Sequence, residues 1–296
     1  MLHWRLISGS SIVTILIAAC WLDARASRPG IVLAPLVILL CVLATGELIH
    51  IFRACGGNPL AWPVYLGTLL PVLAACAPIA WSKYPEECPV SRLGWLACGL
   101  AAGLVVAFLG EMLRYGSGAG SRGSTIASLG MAALSIMYIG GLLGFLVQLR
   151  LYLSTGESSP SLLPLLSLIL VVKVSDTCQY FVGRMFGKRK LAPVISPGKT
   201  WEGAIGGISL GAVLTTAIIA YSISSSRWPL ILVYCVVLSL AGLVGDLAES
   251  LLKRDAGVKD SSNWLPGLGG VLDMLDSLLF AAPVAYACWV LGVIAS

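Results

Sequence analysis

Apolar runs of about twenty residues recur along the whole chain, and they constrain the fold more than any other feature. A helix of that length crosses a hydrocarbon core roughly 30 Å thick. Charged residues make up only 11% of the 296 residues and hydrophobic residues 58%, whereas a soluble domain carries roughly 25% charged residues. A soluble fold is excluded, because too little polar surface remains to face water. The sequence predicts an all-α integral membrane protein.

Nine apolar segments are predicted to cross the membrane as helices. The first is interpreted as a retained helix and not as a signal peptide, because its start is not strongly basic and Trp21-Leu22-Asp23 is a poor cleavage site. The predicted spans are residues 7–22, 30–52, 59–81, 93–113, 126–149, 161–183, 202–224, 229–252 and 268–294.

Basic residues between the spans predict the orientation, because Lys and Arg are enriched in cytoplasmic connections. One set of connections carries twelve basic residues and the other set carries six. This asymmetry places the N-terminus in the cytoplasm, the C-terminus outside, and the loops 184–201 and 253–267 in the cytoplasm. A multi-pass protein of the cytoplasmic (inner) membrane is therefore expected. The net charge of +5 is modest, and no nucleic-acid partner is expected.

The two halves of the chain differ in where their ionisable residues lie. Residues 1–160 are predicted to form a scaffold of transmembrane helices, and residues 161–296 a catalytic region of the same membrane domain. Glu47 and Glu111 lie near span ends and are expected to reach the membrane interface. A charge inside the bilayer is costly and indicates a function. In the second half such residues are Lys173, Asp176, Glu202, Asp246, Glu249, Asp273 and Asp276.

One predicted helix carries a polar stripe. Asp246, Glu249, Ser250 and Lys253 stand at positions i, i+3, i+4 and i+7, so they share one face. Lipid cannot satisfy these groups, and the stripe must face protein or water. For this helix alone, salt bridges that hold helices together and a functional site are equally good interpretations.

Asp273 and Asp276 are three residues apart and share one face of the last span. Two close carboxylates repel each other unless a proton or a cation intervenes. Mg²⁺ takes oxygen ligands and shares its coordination with substrate phosphates. The preceding helix is expected to be an antiparallel neighbour that brings Asp246 close. A proton-relay pair is the alternative.

Two basic, glycine-containing loops flank these acidic residues. Residues 196–203 read Ser-Pro-Gly-Lys-Thr-Trp-Glu-Gly, and hydroxyls with a lysine just before a helix start suit phosphate binding. The spacing of a Walker A loop is missing. A purely orienting role is the alternative for the basic residues 188–190. Acidic ligands beneath basic loops favour metal-assisted phosphoryl or nucleotidyl transfer.

The same segments resemble the phosphatidate cytidylyltransferases, also called CDP-diacylglycerol synthases. Residues 250–260 (Ser-Leu-Leu-Lys-Arg-Asp-Ala-Gly-Val-Lys-Asp) and 265–276 (Leu-Pro-Gly-Leu-Gly-Gly-Val-Leu-Asp-Met-Leu-Asp) resemble the family signature, and residues 175–184 and 196–203 agree with it. The resemblance implies that CMP passes from CTP to phosphatidic acid, giving CDP-diacylglycerol and pyrophosphate for phospholipid biosynthesis. It also implies Mg²⁺, a lipid bilayer and a homodimer. Whether a second cation joins Mg²⁺ is left open.

The resemblance also implies a role for individual residues. The metal ligands would be Asp246, Asp273 and Asp276, which also count as catalytic. The other catalytic or phosphate-contacting residues would be Ser250, Lys253, Lys259 and Asp260. The substrate-contacting residues would be Asp176, Arg184, Ser196, Lys199, Thr200 and Arg254.

Two departures and two alternative functions stand beside this interpretation. Leu268 and Met274 occupy positions where the family usually has His and Arg. A CTP-dependent lipid or polyprenol kinase would also bring a nucleotide to a membrane alcohol, and it would release CDP. An ion-coupled transporter could use the buried carboxylates, although transporters often show two matching halves and the charges here are confined to one.

Overall fold

A computed structural model describes residues 2–81, 88, 90–118, 123–152, 161–223, 226–262 and 269–294. These residues are largely helical, and one two-stranded antiparallel sheet lies in the chain between the two long helices that span residues 163–186 and 201–222. The helices are α1 (Leu2–Arg25), α2 (Leu33–Ala54), α3 (Ala61–Ala75), α4 (Ala77–Ala80), α5 (Arg92–Gly116), α6 (Ser124–Ser135), a π-helical segment (Ile136–Gly141), α7 (Leu142–Arg150), α8 (Leu163–Phe186), α9 (Trp201–Ser222), α10 (Trp228–Asp255) and α11 (Val271–Val290). The strands are β1 (Lys190–Ala192) and β2 (Ser196–Thr200).

Within the described residues, seven helical segments are long and apolar enough to cross a membrane. Each coincides with one of the predicted spans, and the prediction of an all-α, multi-pass membrane protein is confirmed. The two other predicted spans fall on α1 and on α3 together with α4. Helix α3 has only 15 residues, and α4 is a separate short helix with Pro78 near its start. Proline has no backbone N–H to donate within a continuing helix, so a break before Pro78 is expected. The total of nine spans stays a prediction.

The chain forms two compact units. The first comprises residues 1–151 and 255–274, and the second comprises residues 152–254 and 275–296. Residues 255–262 and the first turn of α11 therefore pack with the N-terminal helices. The division of the one membrane domain at residue 160 stays a prediction.

A buried ion pair anchors the first unit. The Nε of Arg150 lies 2.6 Å from Oδ2 of Asp23, and both residues are almost fully buried. Asp23 also accepts hydrogen bonds from the backbone N–H groups of Gly30, Val32 and Leu33, which lie at the start of α2. The Asp23 carboxylate therefore accepts hydrogen bonds from N–H groups that have no acceptor within the helix, and the positive charge of Arg150 balances its negative charge.

Small residues allow α8 and α9 to pack closely in the second unit. Gly203, Gly207 and Gly211 recur at a spacing of four on one face of α9. A Cβ at Gly211 would lie only 3.0 Å from the Cα of Ser175, and one at Gly207 would overlap the backbone of Gln179. Close approach of this kind stabilises helix pairs in membranes, where lipid gives no hydrophobic driving force between helices.

We expect Arg150→Met to lower the stability of the protein in detergent by about 3–5 kcal/mol, because Asp23 would remain buried without its cation. The measurement is the midpoint of thermal unfolding of the purified variant. Arg25→Met is the matched control, since Arg25 is exposed at the end of α1. Equal midpoints for the two variants would contradict the anchoring role.

Candidate active site

A β-hairpin occupies the segment that the sequence analysis described as a basic, glycine-containing loop. Strands β1 and β2 pair antiparallel, with Lys190 opposite Thr200 and Ala192 opposite Ser196. The backbone N–H of Trp201 donates to the carbonyl of Arg189 at 2.9 Å and extends the pairing to the start of α9. This regular backbone gives the phosphate-binding candidates on β2 a defined direction.

The start of α9 was predicted to follow Lys199, and this is confirmed. Thr200 has an extended backbone, and its Oγ1 accepts a hydrogen bond from the N–H of Gly203 at 3.1 Å, which is the geometry of an N-cap. The carboxylate of Glu202 accepts hydrogen bonds from the N–H groups of Lys188 and Arg189. Glu202 therefore ties the hairpin to the helix.

A cavity of about 440 Å³ lies in the second unit between the hairpin and the helices α8, α9 and α10. Its volume is within the range of about 300–1,000 Å³ that is typical of small-molecule sites. Six of the predicted site residues line it, namely Asp176, Arg184, Ser196, Lys199, Thr200 and Asp246. They come from α8, β2 and α10, so the fold gathers residues that are up to 70 positions apart in the chain.

The central contact of the cavity is an ion pair between Lys199 and Asp246. The Nζ of Lys199 lies 2.7 Å from Oδ2 of Asp246, and the two side chains are 21% and 34% exposed. The hydroxyl of Ser250, one turn further along α10, donates to Oδ1 of Asp246 at 3.3 Å. Both charged groups therefore face a space that a ligand can enter.

Asp276 belongs to the same unit but is not among the residues that line the cavity, and its Oδ1 accepts hydrogen bonds from the backbone N–H and the hydroxyl of Ser277. A Cβ at Gly245 would lie 2.5 Å from the backbone oxygen of Asp276, so the glycine permits the close contact of α10 with α11 that the sequence predicted. The carboxylate of Asp276 is near enough to those of Asp246 and Asp176 for mutual repulsion. Lys173, 4.0 Å from Asp176, offsets part of this negative charge.

The donor set fits a hard divalent cation that also binds substrate. Among the residues that the structure describes, no three His, Cys, Asp or Glu side chains form a complete metal-binding group. Mg²⁺ does not need one, because it is usually held by one or two carboxylates together with water and substrate phosphates. Asp246 and Asp276 supply two such carboxylates, and the three-carboxylate ligand set stays a prediction.

The rest of the polar stripe on α10 has structural partners. Glu249, 1% exposed, pairs with Lys253 at 2.7 Å, which confirms that the stripe shares one face. The Nε of Arg254 donates to the carbonyl of Ile195 at 3.1 Å and holds the hairpin. The Glu249–Lys253 pair lies within α10 and does not itself join two helices, so both interpretations of the stripe stay open, and the roles of these residues toward substrate stay predictions.

Three predicted site residues, Lys259, Asp260 and Asp273, belong to the first unit. Lys259 and Asp260 are exposed. Oδ2 of Asp273 accepts hydrogen bonds from the N–H and hydroxyl of Ser261 and from the N–H of Gly270. Leu268, the first departure from the family pattern, lies outside the described residues.

Glu47 is the residue that sequence reasoning missed. It was expected to reach the membrane interface, but it is only 8% exposed. Glu47 belongs to α2, and its carboxylate lies beside the start of α11. Its carboxylate accepts hydrogen bonds from the N–H groups of Val271 and Leu272 and from the hydroxyls of Ser261 and Ser262. Glu47 lies within an apolar run, and a charged residue in such a run indicates a function. The same reasoning that singled out the acidic residues of the second half could therefore have singled out Glu47.

Glu111 is buried as well, at 5% exposure, and accepts a hydrogen bond from the hydroxyl of Ser128. The expectation that it reaches the interface was wrong for the same reason. The hydroxyl of Ser128 on a neighbouring helix and the guanidinium of Arg114, 3.6 Å away on the same helix, satisfy this carboxylate inside the protein.

Comparison with known proteins gives a match over almost the whole chain. Residues 3–291 match the model described as the Cytidylyltransferase family. A phosphatidate cytidylyltransferase of Haemophilus influenzae is 43% identical over 152 residues, which cover 50% of this chain and 51% of that protein. The corresponding protein of Bacillus subtilis is 40% identical over 162 residues, with coverages of 55% and 58%. That of Pseudomonas aeruginosa is 42% identical over 130 residues, with coverages of 43% and 48%. The aligned part thus spans about half the length of these relatives.

We expect Gly203→Ala to destabilise the protein by about 1–3 kcal/mol, because the added methyl group overfills a packed contact. Its Cβ would lie 2.8 Å from the Cα of Gly183 and 2.9 Å from Oγ1 of Thr200. Gly198→Ala, in the same segment, is the control, since none of the described atoms lies within 4 Å of a Cβ there. The midpoints of thermal unfolding of both variants test this packing. A midpoint for Gly203→Ala at or above that of the control would refute it.

Proposed function

The chain belongs to the cytidylyltransferase family, as its motifs had indicated, and we propose that it transfers CMP from CTP to phosphatidic acid. The products are CDP-diacylglycerol and pyrophosphate. The observation that carries this proposal is the pairing of Lys199 with Asp246 in a cavity that the hairpin and three helices line. A cation for phosphate and a carboxylate for a metal ion meet at that one point.

The cations of the cavity provide the binding site for the triphosphate. Lys199 and Arg184 line the cavity together with the hydroxyl of Ser196, and ammonium, guanidinium and hydroxyl groups are the side chains that bind phosphate oxygens. A phosphate that enters would replace Asp246 as the partner of Lys199. This exchange releases the carboxylate at the moment when the nucleotide arrives.

The carboxylates provide the metal site of the proposal. Asp246 and Asp276, with Asp273 as the third predicted ligand, would hold Mg²⁺. When bound, this ion supplies neutralising charge for the phosphates. Asp176 lines the same cavity, and its negative charge also favours a bound cation there.

The reaction itself needs no covalent intermediate on the protein. A phosphate oxygen of phosphatidic acid forms a bond to the α-phosphorus of CTP, and the bond between that phosphorus and the bridging oxygen of the β-phosphate breaks. The electron pair leaves with pyrophosphate, so the protein has to position two anions and reduce their repulsion. Catalysis of phosphoryl transfer rests mainly on these two effects.

The lipid substrate accounts for the placement of the site among membrane helices. Phosphatidic acid keeps its acyl chains in the bilayer, and only its headgroup can reach a polar cavity. In the proposed arrangement the protein has nine spans in the cytoplasmic membrane, with the N-terminus inside, and forms a homodimer. The basic hairpin and residues 253–267 then face the cytoplasm, where CTP is found.

Two labels on CTP distinguish the proposed reaction from a kinase. Purified protein is incubated with phosphatidic acid, Mg²⁺ and CTP labelled at either the α- or the γ-phosphorus. The proposal predicts that the α-label enters the lipid phase and that the γ-label leaves as pyrophosphate. Entry of the γ-label into lipid, with release of CDP, would show a lipid kinase instead. No label in lipid from either CTP would refute both activities.

Asp246→Asn and Asp276→Asn are each expected to lower turnover by more than about 100-fold. Mutation of residues that only hydrogen-bond to a metal ligand already lowers metal affinity or activity by about 10- to 100-fold. Asp255→Asn is the control, since Asp255 is exposed at the end of α10. Activity is measured at saturating CTP, and thermal unfolding shows that each variant is folded. Turnover near that of the control in both variants would contradict the carboxylate assignment.

A further inference from the structure

Glu47 binds the start of α11 with both of its carboxylate oxygens. Oε1 accepts the N–H of Val271 at 2.9 Å and the hydroxyl of Ser262 at 2.7 Å. Oε2 accepts the N–H of Leu272 at 2.8 Å and the hydroxyl of Ser261 at 2.9 Å. Each carboxylate oxygen therefore accepts hydrogen bonds from one backbone N–H group and one serine hydroxyl.

The two N–H groups belong to the first turn of α11 and have no acceptor within that helix. The positive end of the helix dipole also favours a carboxylate at this place. Glu47 comes from α2, more than 200 residues away in the sequence. It therefore fixes the start of α11 against a helix of the scaffold.

The hydroxyl of Ser261 lies between Glu47 and Asp273, and its single proton can be donated to either carboxylate. Its Oγ lies 2.9 Å from Oε2 of Glu47 and 2.8 Å from Oδ2 of Asp273. The N–H groups of Ser261 and Gly270 also donate to Oδ2 of Asp273. The orientation of the Asp273 carboxylate thus depends on the segment that Glu47 holds.

Two adjacent glycines make room for this arrangement. Gly269 has a backbone φ of 85°, in the left-handed region that favours glycine, and a Cβ there would overlap the carboxylate of Asp273. A Cβ at Gly270 would overlap the Ser261 hydroxyl and the Glu47 carboxylate. The two glycines of the predicted signature are therefore required by the close packing of Glu47, Ser261 and Asp273, independently of any contact with substrate.

We propose that Glu47 is a positioning residue, which sets the first turn of α11 and the Asp273 carboxylate for metal binding. The inference rests on the proposed function, in which Asp273 and Asp276 of α11 are metal ligands. Glu47 itself acts through the backbone of α11 and through Ser261. Carboxylate ligands are commonly held by hydrogen bonds of this kind, and their loss costs about 10- to 100-fold in metal affinity or activity.

Glu47→Gln tests the role of the second oxygen with almost no change in shape. Whichever way the amide is turned, its NH₂ group faces the backbone N–H of either Val271 or Leu272. A serine hydroxyl can rotate and accept a hydrogen bond instead, but a backbone N–H cannot. Glu47→Asp keeps both oxygens on a shorter side chain and is expected to retain part of the function.

Glu111→Gln is the matched control, because Glu111 is a buried glutamate of the same unit with a serine partner. Affinity for Mn²⁺, as a probe for the divalent cation, is measured by electron paramagnetic resonance without nucleotide. Hydrogen exchange of residues 269–273 reports on the start of α11. Turnover is measured as a function of Mg²⁺ concentration.

Glu47→Gln is expected to weaken Mn²⁺ binding about 10- to 100-fold, to speed exchange of residues 269–273, and to need correspondingly more Mg²⁺ for half-maximal turnover. Glu47→Asp should lie between it and the wild-type protein, and Glu111→Gln should match the wild type. Unchanged Mn²⁺ affinity in Glu47→Gln, or an equal loss in Glu111→Gln, would overturn the positioning role. A wild-type protein that binds Mn²⁺ but forms no cytidine lipid would refute the proposed function alone, and the Mn²⁺ and exchange data would still decide the role of Glu47.

Discussion

A charge that is removed from water inside a membrane protein must find a partner there, because lipid offers none. The described structure shows two ways of meeting this requirement. Asp23 combines backbone donors at the start of α2 with the cation of Arg150. Glu47 combines backbone donors at the start of α11 with two serine hydroxyls. In both cases a carboxylate is placed at a helix N-terminus, where the unpaired N–H groups need an acceptor.

The pair of Lys199 and Asp246 meets the same requirement differently. Its two members are partly exposed and line a cavity, whereas Asp23 and Arg150 are almost fully buried. A triphosphate with its cation could take over both halves of the pair without leaving an uncompensated charge. In the proposed function, exchangeable partners would therefore characterise the active site, and fixed partners the scaffold.

Much of this could be predicted from the sequence. The apolar runs predicted the membrane helices, the spacing on α10 predicted that Asp246, Glu249, Ser250 and Lys253 share one face, and Lys199 was predicted to stand just before a helix start. These features depend on local spacing. The hairpin was missed because its strands are short and their residues, rich in Lys, Pro and Gly, are not typical of strands.

The role of Glu47 could not be predicted, because it depends on contacts between residues more than 200 positions apart. A single sequence contains no information on which helix start a buried carboxylate faces. For the same reason the sequence could not show that the segment of Asp273 packs with the N-terminal helices.

The most direct test is an experimental structure with Mn²⁺ and a non-hydrolysable CTP analogue. The account predicts that the Lys199–Asp246 pair opens, that Lys199 contacts a phosphate oxygen, and that a Mn²⁺ peak lies about 2.0–2.3 Å from carboxylate oxygens of Asp246 and Asp276, close to the distances typical of Mg²⁺. A nucleotide bound elsewhere, with the Lys199–Asp246 pair intact, would contradict it.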